Sequence, residues 1–71
     1  MNITPEQALK LLCGNYTFTQ LGFSMLVTRL KGIYAKDSSQ ATLQKCVDEI
    51  NLFLRKYSAI ISKDIAVISQ L

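Results

Sequence analysis

The sequence predicts an all-α protein, on three observations. A helix-start signature, Thr4-Pro5-Glu6-Gln7, stands near the beginning. Apolar residues from Phe23 to Tyr34 recur at helical spacing, and from Gln40 to Gln70 no glycine or proline interrupts a wide apolar stripe. The reading is one all-helical domain over 1–71, with helices at about 5–13, 17–35 and 40–70.

The first helix has the clearest start. Thr4 suits the N-cap, Pro5 the first helical position, and Gln7 the third, where a capping box needs a side chain that reaches back. Leu9, Leu12 and Cys13 give it a short apolar face. Gly14 and Asn15 tolerate positive φ and are expected to end it.

The second helix is expected to restart near Thr17. Its stripe is Phe23, Leu26, Val27, Leu30, Ile33 and Tyr34, widened by Phe18, Leu21 and Met25. Gly22 and Gly32 each cost about 1 kcal/mol relative to alanine in a helix. Lys36-Asp37-Ser38-Ser39 reads as a turn, with Ser38 or Ser39 capping the third helix.

The third segment is the most informative. With Leu43 as heptad position a, the a and d positions are Leu43, Cys46, Ile50, Phe53, Tyr57, Ile60, Asp64, Val67 and Leu71. The e positions are Val47, Leu54, Ile61 and Ile68, and all of these except Asp64 are apolar. Such a broad a/d/e stripe belongs to helix bundles rather than to a thin two-stranded seam. A continuous helix over 40–70 would be about 45 Å long.

The first two helices together match the third in length, so the sequence is compatible with a helical hairpin whose second arm is 40–70. A three-helix bundle results if the bend at Gly14-Asn15-Tyr16 is a full reversal. A chain this short seldom draws more than about 3–5 kcal/mol from its own core. Pairing two copies into a four-helix-type bundle would cover the rest of the stripe. The expected assembly is a homo-oligomer, a dimer first, with a seam of Leu43, Ile50, Phe53, Tyr57, Ile60 and Ile61.

Hairpin register puts Cys13 and Cys46 about 24 Å apart, too far for a disulfide, which needs Cα atoms within about 7 Å. Both are read as buried free thiols. The same register sets Asp64 near Lys10. Either Lys10 or a neighbouring subunit partners this carboxylate, or the stripe drifts after Ile61 and Asp64 faces water.

Residue chemistry argues against catalysis. There is no histidine, and the carboxylates Glu6, Asp37, Asp48, Glu49 and Asp64 include no opposed pair, because adjacent Asp48 and Glu49 diverge by about 100° on a helix. Gly14, Gly22 and Gly32 are isolated, so no phosphate-cradling loop is present. Two cysteines without histidine cannot make a structural zinc site. No catalytic residue, cofactor or metal is expected. The uncharged stretch Leu11–Thr28 holds Asn15, Gln20 and several hydroxyls, so it does not read as a membrane span. The first residues lack the pattern of a secretory signal, and a cytoplasmic setting is expected.

What remains is a non-enzymatic helical interaction or assembly module, pairing with itself or with another helical protein. The alternative comes from the formal net charge of +3: a small nucleic-acid-associated regulator using Arg29, Lys31, Arg55 and Lys56.

Overall fold

A computed structural model of the chain describes residues 2–71. Four helices succeed one another, α1 (Pro5–Cys13), α2 (Leu21–Lys36), α3 (Gln40–Tyr57) and α4 (Ser62–Ile68), with no strand among the described residues.

α1 starts as its residues dictate. Thr4 Oγ1 accepts from the Gln7 amide at 3.1 Å, and Gln7 Oε1 accepts from the Thr4 amide at 2.9 Å, which completes the capping box. The segment before it is tied to α3: Asn51 Oδ1 accepts from the Ile3 amide at 2.7 Å and its Nδ2 donates back to the Ile3 carbonyl. Ala8, Leu11 and Leu12 form the buried face. The helix ends at Cys13 as expected, but not through positive φ, since Gly14 is extended at φ −95°. Glycine is needed there for space. A Cβ would stand 2.8 Å from the Lys10 carbonyl and 2.4 Å from the Tyr16 ring.

α2 begins at Leu21 rather than near Thr17. The amides of Thr19 and Gln20, just ahead of the first turn, are held by Asp64. At the far end Ser39 caps α3, its side chain accepting from the Thr42 amide.

The largest departure from the sequence expectation is in the third segment. The helix expected over 40–70 stops at Tyr57, turns through Ser58–Ile61, and resumes as the seven-residue α4. In the turn the Ile60 and Ile61 amides both donate to the Tyr57 carbonyl, at 3.0 and 3.1 Å. Length supplies the physical reason. α2 has 16 residues, about 24 Å of helix, and could not cover an arm of about 45 Å. Breaking the helix sacrifices a few main-chain bonds worth about 1 kcal/mol each. It brings Ile61 and Ile68 to zero exposure, at roughly 1.5–3 kcal/mol apiece.

α1, α2 and α3 each pack on the other two. The core gathers Leu11, Phe23, Leu30, Ile50 and Leu54 with Ile61 and Ile68 from the final turns. The accessible surface is 4504 Å², close to the roughly 4,450 Å² of a compact monomer of this mass. One copy therefore buries as much as a self-sufficient small domain does.

Candidate interaction surface

α3 has two apolar faces, and the fold uses only one of them fully. Cys46, Val47, Ile50 and Leu54 point inward and are buried. On the side of α3 toward α2, a groove runs past Phe53 and Tyr57. Its upper hollow, of about 300 Å³, is lined by Gln20, Gly22, Phe53, Tyr57 and Ile60. Its lower hollow, of about 190 Å³, is lined by Leu26, Glu49, Leu52, Phe53, Lys56 and Tyr57.

The lips of the groove are exposed apolar side chains: Ile60 at 61%, Leu52 at 49% and Tyr57 at 42%. On α2, Leu21 and Met25 are 70% and 63% exposed. They lie on the solvent side of α2 and line neither hollow, whereas Arg29, one turn beyond Met25, reaches Glu49 on α3 with its guanidinium at 2.9 Å.

The floor is ordered by aromatic packing. Phe18 meets Phe23 edge-on at 4.9 Å, Phe23 meets Phe53 at 5.4 Å, and Phe53 meets Tyr57 at 4.7 Å. This chain of rings leads from the buried core to the half-exposed Tyr57. Contacts of this type add about 0.5–1.5 kcal/mol each beyond area burial, and a floor already fixed loses less entropy when it is covered. Gly22 sits opposite Phe53, where an added Cβ would be 3.6 Å from the ring.

The upper end of the groove depends on Asp64. This carboxylate is 1% exposed, and it accepts from the Thr19 amide at 2.8 Å, the Thr19 hydroxyl at 3.1 Å and the Gln20 amide at 3.1 Å. A negative group at the start of a helix satisfies amides that have no partner in the helix and complements its dipole. Both sequence expectations for Asp64 are thereby corrected. It does not face water, and its partner is the start of α2 rather than Lys10. The Lys10 ammonium instead donates to the Leu71 main-chain oxygen at 2.8 Å.

Of the expected seam, Ile50 and Ile61 have zero exposure and serve packing within one copy, so neither can reach a second. Leu43 is partly buried against the same core. Phe53, Tyr57 and Ile60 come together in the groove. Leu52, outside the expected seam, lines the lower hollow. Leu52 has a visible signal, an apolar residue standing outside the a/d/e stripe among polar neighbours.

The four basic residues of the alternative reading do not converge. Arg29 turns to Glu49 on α3, whereas Lys31, about 200° further round α2, donates to the Gly14 carbonyl at 2.7 Å. Arg55 and Lys56 are exposed neighbours that point about 100° apart. The adjacent carboxylates also diverge: Asp48 accepts from Gln44, and Glu49 faces Arg29.

The two thiols differ. Cys46 is buried, and burial together with nearby Glu49 raises its pKa. Cys13, expected to be buried, is exposed, because α1 turns Ala8, Leu11 and Leu12 inward instead. Among the described residues no group of three or more histidine, cysteine or acidic side chains could hold a metal ion, and no helix is long and apolar enough to cross a membrane. Comparison of the chain with protein-family models, with curated proteins and with solved structures finds no match.

Proposed function

We propose that this chain is a non-enzymatic helical interaction module that self-associates through the groove between α2 and α3. A dimer would set α2 and α3 of each copy into a four-helix-type arrangement. The observation that carries this reading is the set of exposed apolar side chains on α2, α3 and the turn after it, three of which, Leu52, Tyr57 and Ile60, line a groove over an ordered aromatic floor. Leu21, Met25, Leu52, Tyr57 and Ile60 are between 42% and 70% exposed. At roughly 200 Å² per large side chain, they offer on the order of 500–600 Å² in one copy. This is the upper range of what a typical monomer leaves open, and such patches are often functional. A standard interface takes about 800 Å² from each partner. Phe53, Leu26 and the stems of the flanking charged residues supply the remainder. The free thiols Cys13 and Cys46 suit a reducing compartment such as the cytoplasm.

Sedimentation equilibrium over a wide range of protein concentration tests the reading. The expected result is a mass that rises from 8.0 kDa toward twice that value, and a Leu52→Asp variant that weakens association at least about tenfold. A single species of monomer mass at every concentration, or a Leu52→Asp variant that associates as well as the parent, overturns it.

A further inference from the structure

The groove carries its own arrangement of charge. Glu49 and Lys56 both line its lower hollow, with Leu52 and Phe53 between them on α3. They stand two helical turns apart, about 10.5 Å along the axis, and project in nearly the same direction. The point midway between them falls between Leu52 and Phe53. Opposite charges placed evenly about an apolar centre form a patch that complements itself, as a two-fold interface requires.

We infer that the occupant of the groove is a second copy of this chain, with the two α3 helices antiparallel and crossing at Leu52–Phe53. In that register Glu49 of each copy faces Lys56 of the other, and Leu52 packs against Phe53 between the two ion pairs. The inference rests on the self-association reading and adds to it the direction and register of the helices. A parallel pairing would set Glu49 against Glu49 and Lys56 against Lys56, with like charges on both sides of the centre. Both side chains have capacity for the contact. Arg29 occupies only Oε1 of Glu49, leaving Oε2 to a second cation, and Lys56 makes no ion pair among the described residues.

The test is charge reversal followed by rescue, read as dimer Kd by sedimentation equilibrium at low salt. Every protein carries Arg29→Gln, which removes the pair within one copy. That pair is exposed, 54% and 44% at its two side chains, so its loss leaves the fold intact. Glu49→Lys and Lys56→Glu each create two like-charge contacts in the dimer and are expected to weaken it at least about tenfold. The double variant Glu49→Lys/Lys56→Glu restores both pairs and is expected to return to within about threefold of the background. Circular dichroism of each variant, as dilute monomer, checks that the helices are retained. A parent protein that stays monomeric at all concentrations overturns the inference together with the reading beneath it, whereas an Arg29→Gln background that stays monomeric while the parent associates overturns the register alone. A dimer that Leu52→Asp weakens, but that ignores the single reversals or is not rescued by the double, overturns the antiparallel register alone.

Discussion

Residues 40–57 form one straight helix, whereas residues 58–71 turn aside and pack as a separate short one, although the same apolar spacing runs through both. In the first stretch the inward positions Cys46, Val47, Ile50 and Leu54 meet α1 and α2 along their length. In the second, a straight continuation would have carried Ile61, Asp64 and Ile68 beyond the end of α2. The molecule measures 31 Å along its longest axis, against about 45 Å for the unbroken helix. Periodicity therefore reports which face of a segment is apolar. Whether the segment stays straight is decided by how far its neighbours reach.

The sharpest way to break this comparison is at two adjacent isoleucines in the turn. Ile61 has zero exposure and Ile60 is 61% exposed. Ile61→Ala removes buried methyl groups and is expected to cost about 2–4 kcal/mol. Ile60→Ala is expected to change the stability of a single copy by less than about 0.5 kcal/mol. Urea unfolding at low protein concentration measures both. Equal costs would mean that Ile60 is buried as fully as Ile61, contrary to a turn that leaves the first in solvent and takes the second into the core.

Asp64 supplies the next largest effect. Replacing it with alanine leaves the amides of Thr19 and Gln20 and the Thr19 hydroxyl without their acceptor. The expected cost is roughly 1–3 kcal/mol, which in a chain of this size lowers Tm by several degrees per kcal/mol. The loss is expected to be local, with amide hydrogen exchange faster at residues 19–23 than in α1. Uniformly faster exchange, or an unchanged Tm, would show that Asp64 does not anchor the start of α2.

These two cases also show what the sequence could and could not disclose. The start of α1 is legible because Thr4, Pro5 and Gln7 act on one another within a single turn. The cap of α3 at Ser39 is legible for the same reason. The break after Tyr57 is not, because Ser58 and Ala59 are compatible with a helix and the cause lies elsewhere. Asp64 bonds residues 45 and 44 positions earlier in the chain, a relation that no local pattern encodes. The charge at Asp64 is conspicuous in an apolar stripe and marks a buried, partnered group, but neither the drift toward water nor the pairing with Lys10 that the spacing suggested is what the chain does. The groove is half legible. Phe53, Tyr57 and Ile60 follow from the stripe, but Leu52 stands outside it, and Gln20 and Gly22 reach the groove only through the packing of the start of α2 beside α3.

The smallest effect concerns the other aspartate that holds a helix start. Asp37 lies in the turn before α3, where its Oδ2 accepts from the Thr42 hydroxyl at 2.7 Å and its Oδ1 from the Ser39 amide at 3.2 Å. Unlike Asp64 it is exposed. The Thr42 bond, followed by those from Ser39, lowers its pKa below the ordinary aspartate value of about 3.9. The native state therefore favours the ionised form more than the unfolded chain does. The resulting stabilisation is fully present above that ordinary value and fades as pH falls through the lower native one. Asp37→Asn should make the protein less stable than the parent at neutral pH, and the gap should close in acid, below about pH 4. Parallel urea titrations of the two proteins from neutral pH into acid measure the gap directly. A gap that persists unchanged into strong acid would assign the contribution of Asp37 to side-chain shape, and α3 would then owe its start to Ser39 alone.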